Sequence, residues 1–179
     1  MWITNGHVAD VAIVWAQTDD GIRGFAVPTD TPGFTATKVK HKMSLRASAT
    51  SELTFTDMRV PDSTLLPGVT GLRGPLSCLS QARFGIIFGA VGAARDCLEV
   101  ALDYAGKREQ FDQPIAGFQL TQAKLAQMTS SVATSFLLAM RLGALKDAGA
   151  IKPEQISLGK FTNVSAALDV ARQARTILG

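Results

Sequence analysis

Up to about residue 66 the apolar positions fall in short runs broken by turn residues, the signature of strands rather than helices. The runs are Val11–Ala16, Ile22–Val27, Phe34–Val39 and Glu52–Val60, punctuated by Asp19-Asp20-Gly21 and Thr31-Pro32-Gly33. Leu53, Phe55 and Met58 interleave with Thr54 and Thr56, which predicts a strand with one buried face, and Asp57 is expected at a bulge or turn. Together these runs predict a small antiparallel sheet or part of a barrel over 1–66. The cluster Pro61, Pro67, Gly68 and Gly71 marks a connection, with 67–74 read as a linker.

From about Pro75 the period lengthens to that of a helix. Ile87, Val91, Ala94, Leu98, Ala101 and Ala105 recur three or four apart, predicting one helix ending near Gln110. A second is expected from Phe118 to Asp147, with Leu125, Met128, Val132, Phe136 and Met140 on its buried stripe and Gly149 as its stop. Pro153 suits the first turn of a third, which continues to the last residues. Gly85, Gly89 and Gly92 predict a close approach of two helices. The fold class is therefore α+β: a partial antiparallel sheet or barrel, then three long antiparallel helices of an incomplete four-helix bundle over 75–179. The structured edges, Met1-Trp2 and Ile177-Leu178-Gly179, read as cut from something longer.

Composition narrows the function classes. A hydrophobic content of 46% supports a sizeable core, and a net charge of +3 from 18 basic and 15 acidic residues comes without a long single-sign run, so neither nucleic acid nor a membrane surface is expected as partner. Phe84 to Ala94 is too short to span a bilayer, which needs roughly twenty apolar residues, and Arg83 and Arg95 bracket it. The first residues lack the charge and apolar pattern of a signal peptide. Cys78 and Cys97 are expected as buried free thiols, and with only His7 and His41 beside them no metal site is expected. No nucleophile–histidine set can be assembled, and neither a Gly-x-Gly-x-x-Gly turn nor a phosphate loop occurs.

A few polar features remain. Arg108 to Gln119 puts a cation and the Phe111 ring at the end of one expected helix and a glutamine at the start of the next. A guanidinium can hold two phosphate oxygens side by side, and a helix start favours anions, so the corner suits an anionic cofactor; an ordinary helical corner closed by Pro114 is the other reading. Trp2-Ile3-Thr4-Asn5 either lines a ring system or forms a turn before a strand. The Lys42 to Thr50 loop is either site-facing or solvated. Arg83 is either a boundary residue or an anchor for an acidic group, while Arg172 and Arg175 read as solvated or paired.

Taken in order, Trp2-Ile3-Thr4-Asn5, Lys42 to Thr50, Leu79 to Ile86, Arg108-x-x-Phe111-x-x-Pro114-Ile115-x-x-x-Gln119, Leu125 to Met128 and Ala171 to Arg175 resemble the acyl-CoA dehydrogenase family, most closely its glutaryl-CoA dehydrogenase branch. The agreement covers nearly the whole chain. The resemblance implies FAD held between a β-domain and a helical bundle, partly by a neighbouring subunit of a homotetramer. It assigns Trp2, Ile3 and Thr4 to the isoalloxazine, and Arg108, Phe111 and Gln119 to the pyrophosphate and adenine side of a partner's FAD. Ser80 and Arg83 fall to the acyl-CoA site, although many relatives carry aspartate where this chain has Ser80, and Thr176 stands where many have a flavin-contacting glutamine.

The family's reaction removes an α-proton with a glutamate while hydride leaves the β-carbon for the flavin, and the glutaryl branch then releases carbon dioxide to give crotonyl-CoA. Electrons pass to an electron-transfer flavoprotein. The resemblance puts that base beyond Leu178, so no catalytic residue is assigned here, and Glu99, Glu109 and Glu154 do not take its place. It also implies a bacterial cytoplasm or a mitochondrial matrix as location. The rival readings are a non-catalytic fragment or interaction module with the same fold, and another branch such as a short-chain acyl-CoA dehydrogenase.

Overall fold

The computed structural model describes residues 1–179, which form two compact units, Met1–Leu76 and Ser77–Gly179. The first unit holds two antiparallel sheets and no closed barrel. Strand β1 (Ile3–Thr4) pairs with β5 (Thr50–Phe55), which pairs with β4 (Phe34–Lys38). Strands β2 (Val11–Thr18) and β3 (Gly21–Pro28) form a hairpin across Asp19-Asp20. Gly21 opens the return strand at a φ of +91°, a conformation that only glycine adopts without strain.

The four expected strands are all present, with shifted ends. The last stops at Phe55 rather than Val60, because Asp57 takes a φ of 46° and turns the chain. On β5 the inward positions are Ser51 and Leu53, while Phe55 is exposed beside Phe34. Residues 65–71 run along the free edge of β3: Leu66 N donates to the Gly24 carbonyl and Gly71 N to the Ile22 carbonyl, at 2.9 and 2.8 Å.

Three helices follow: α1 (Arg73–Lys107), α2 (Gln119–Asp147) and α3 (Pro153–Leu178). All six residues expected on the buried face of α1 are buried, because their spacing keeps them on one side of a 3.6-residue turn. The α2–α3 connection is a Schellman cap: Ala150 N donates to the Leu145 carbonyl and Gly149 N to the Lys146 carbonyl, with Gly149 at a φ of +65°. Helix α3 starts on Pro153, and Gln155 reaches back to accept from the Lys152 amide. Helix α2 runs antiparallel to both neighbours, so α1 and α3 run parallel.

Three expectations are corrected here. The α2 stripe keeps Leu125 and Met128 and then turns to Ser135, Ala139 and Leu142, leaving Phe136 and Met140 exposed. Successive steps of four carry the expected series around the helix, whereas small residues are wanted where α3 comes close. That close approach is at Gly159, not at Gly85, Gly89 or Gly92. A Cβ on any of those three meets nothing within 4 Å, whereas one on Gly159 would overlap Leu142 and lie 2.9 Å from Ile87 Cδ1. Finally, Cys78 is exposed and Cys97 half-buried, since only the stripe face of α1 is covered.

Asn163 stands in the same seam at 1% exposure. Its Nδ2 donates to the Ile87 carbonyl at 3.2 Å and the Ser135 carbonyl at 3.1 Å, so one amide ties three helices together. Its Oδ1 is buried without a partner. Helix α2 is long and apolar enough to cross a membrane by length and composition alone. It carries Lys124, Arg141 and Lys146, and its buried residues face α1 and α3, as in the core helix of a bundle.

Candidate functional site

Trp2, Ile3 and Thr4 lie at the exposed edge of the three-stranded sheet. The ladder of β1 is only two residues long, Ile3 opposite Ser51 and Thr4 opposite Thr50. It is flanked by two residues in the left-handed region, Trp2 at a φ of 55° and Asn5 at 61°. Asparagine tolerates that conformation; tryptophan pays a steric cost of about 1–2 kcal/mol. Trp2 recovers none of it by burial, since it is 74% exposed. Ile3 and Thr4 open onto a cavity of about 330 Å³ shared with Gly6, Val11, Trp15 and Leu53.

The Lys42 to Thr50 loop folds back onto the start of β5. Lys42 Nζ donates to the Thr50 hydroxyl at 2.9 Å and also to the Ser48 carbonyl, and Arg46 Nε donates to the Lys42 carbonyl. The loop is thus tied to the strand residue that faces Thr4.

In the second unit the expected helical corner is a β-hairpin. Helix α1 stops at Lys107 instead of Gln110, and Glu109–Gln110 (β6) pairs with Gln113–Pro114 (β7). The type I′ form of a two-residue hairpin turn has a left-handed backbone at both positions, which Asn-Gly usually supplies. Here the positions are Phe111 and Asp112, at φ of 54° and 62°. Sequence reasoning missed the hairpin because Phe111 is no turn signal and no glycine follows it. The backbone of Arg108 is fixed on both sides: its N–H donates to the Tyr104 carbonyl and its carbonyl accepts from Ile115 N, each at 2.8 Å.

The side chains of this corner face solvent. Phe111 is 86% exposed and stands edge-on to Phe118, ring centroids 6.2 Å apart. Arg108 has no ion pair within the chain, unlike Arg95, Lys107 and Arg172, which meet Glu99, Asp103 and Asp169. Gln119 is exposed as the first residue of α2, and no side chain caps the amides of that turn. An unpaired cation, an exposed ring and an open helix start therefore share one corner, a set suited to an anion joined to an aromatic ring.

Ser80 and Arg83 are half-buried near the other end of α1, roughly 38 to 42 Å along its axis from Arg108. Arg83 lines a cavity of about 340 Å³ with Lys160, Phe161 and Val164 of α3. The structure thus brings Arg108, Phe111 and Gln119 together and keeps Ser80 and Arg83 apart from them. Of the glutamates in this unit, Glu99 is ion-paired on the surface, Glu109 and Glu154 are exposed, and none lines the cavity beside Arg83.

Residues 70–179 match the family model described as acyl-CoA dehydrogenase, C-terminal domain, and residues 1–58 match the middle domain of the same family. Short-chain specific acyl-CoA dehydrogenase, mitochondrial, from Bos taurus is 37% identical over 99% of this chain and 45% of its own length. A solved glutaryl-CoA dehydrogenase from Mycobacterium smegmatis is 68% identical with a TM-score of 0.96, covering 100% of this chain and 46% of that one. A second such structure from the same organism, in complex with FADH2, is 61% identical with a TM-score of 0.96 and the same coverage. The chain thus spans about half the length of the relatives it matches. With both of its units matched by models of one family, the chain belongs to the acyl-CoA dehydrogenases.

Proposed function

We propose that the whole protein is an FAD-dependent acyl-CoA dehydrogenase of the glutaryl type, converting glutaryl-CoA to crotonyl-CoA and carbon dioxide. It works as a homotetramer and passes electrons to an electron-transfer flavoprotein. The observation that carries the cofactor reading is a shared strain. Trp2 and Phe111, the two rings assigned to FAD, both have left-handed backbones and both stand exposed. Strain without compensating burial is common at ligand-holding positions. The glutaryl reading is supported by 68% identity to the mycobacterial glutaryl-CoA dehydrogenase, against 37% to the bovine short-chain enzyme.

The residues fit the cofactor in chemical type. Trp2 offers a flat apolar face and Thr4 an exposed hydroxyl at the sheet edge. Arg108, Phe111 and Gln119 offer charge, ring and amide for the pyrophosphate and adenine of a partner subunit's cofactor. When bound, FAD accepts the hydride that leaves the substrate's β-carbon. Arg83 and Ser80 orient the acyl-CoA from the far end of α1. The 179 residues hold cofactor and substrate but do not abstract the α-proton, so this chain alone does not turn over.

The visible spectrum of the full-length protein tests this reading. A flavin band near one per chain, bleached by glutaryl-CoA more readily than by butyryl-CoA, is the expected result. Bleaching by butyryl-CoA alone moves the protein to the short-chain branch, and a colourless protein overturns the flavin assignment. Turnover by the 179-residue chain alone overturns its predicted inactivity.

A further inference from the structure

A two-residue ladder is too short to hold β1 in place by itself. Three further ties bind the segment after it to β5 and the residue just before β5. Asn5 N donates to the Ala49 carbonyl at 2.9 Å. Gly6 is buried against β5 so closely that a Cβ would lie 2.9 Å from both Ser51 Cβ and Leu53 Cδ2. His7 Nδ1 lies 2.7 Å from Ser51 Oγ, and Ser51, directly opposite Ile3 in the ladder, is 0% exposed. The third tie is the one made by side chains, and it closes on a serine that water does not reach.

From this geometry we infer that His7 is a positioning residue for the flavin-contacting strand: through its hydrogen bond to buried Ser51 it fixes Ile3 and Thr4 against β5. The inference rests on the cofactor reading above, because it assigns His7 a role in the flavin site without any contact to the flavin. Either the Ser51 hydroxyl donates to a neutral Nδ1 or a protonated Nδ1 donates to Ser51 Oγ. In both cases the imidazole closes the turn Asn5–Ala9, whose Val8 and Ala9 amides donate to the Asn5 carbonyl. Without the imidazole, the Ser51 hydroxyl loses its partner in a dry position, and the sheet edge carrying Thr4 gains freedom.

Three variants of the full-length protein test it: His7→Ala, His7→Asn and Ser51→Ala. An asparagine amide places an atom where Nδ1 stands, so it can restore the bond that alanine removes. His7→Ala is expected to speed amide exchange in residues 4–6 about tenfold and to weaken FAD binding by a similar factor. The flavin absorption band should shift, and His7→Asn should return all three readouts towards wild type. Ser51→Ala should reproduce the loss if His7→Ala fails to fold.

Wild-type flavin affinity and spectrum in His7→Ala overturn the inference, as does an equal loss in the asparagine variant. A wild-type protein without flavin overturns the cofactor reading instead. The exchange measurement would then still show whether His7 holds the strand.

Discussion

Helix α1 joins two regions built on opposite terms. At Ile87 it lies under Gly159 and Asn163, where three helices meet, and every side chain is buried. Twenty residues on it runs into the Glu109–Pro114 hairpin, where the backbone is strained and the side chains face solvent. The difference separates two kinds of constraint. In the seam, size and polarity are set by neighbours within the chain; at the corner, the chain makes no use of the groups it displays. Residues of the first kind should therefore govern stability, and residues of the second kind ligand binding.

The sharpest way to break that comparison is Asn163→Asp. It replaces a donor amide by a carboxylate facing two carbonyl oxygens, and burying an unpaired charge costs about 3–5 kcal/mol. Thermal unfolding should fall by roughly 10 °C or more. Gly159→Val comes next, at about 1–3 kcal/mol, because added atoms would overlap Leu142 and crowd Ile87. Denaturant titration measures it, and an unchanged midpoint would show that α3 can move aside.

The corner should respond in the opposite sense. Arg108→Ala in the full-length protein should leave stability within about 0.5 kcal/mol, yet weaken FAD binding by about 1.5–3 kcal/mol, as expected for a charge-assisted pair. Flavin retention on dilution reads this directly, and unchanged affinity removes Arg108 from the site. The smallest effect is expected from Phe111→Asn with Asp112→Gly. That turn should gain up to about 1 kcal/mol by relieving two left-handed residues, while losing the exposed ring and with it flavin affinity.

How far these regions could be read from sequence follows the same division. The α1 stripe was legible because six apolar residues keep one period from Ile87 to Ala105. The seam was not, because its decisive residues, Gly159, Ser135 and Asn163, carry no apolar signal, while the more conspicuous Gly85, Gly89 and Gly92 face open space. The second stripe misled at Phe136 and Met140, whose large side chains suggest a core that the structure does not build there. At the corner the order Arg-x-x-Phe was visible, but the hairpin was hidden by Phe111 and Asp112 in positions that usually carry Asn-Gly. In the sheet, the spacing of His7 and Ser51 is 44 residues, and only the register of β1 on β5 brings them together.

The buried face of α1 tapers. It begins with Ile87 and Val91 and ends with Ala101 and Ala105, both fully buried with only a methyl group to fill the space. A neighbour must therefore approach closely at that end, which makes it the least yielding part of the helix. Arg108 follows three residues later with both backbone groups tied. A guanidinium carried on so stiff a mount has little backbone freedom left to lose when it closes on an anion, so more of its electrostatic attraction is kept as affinity.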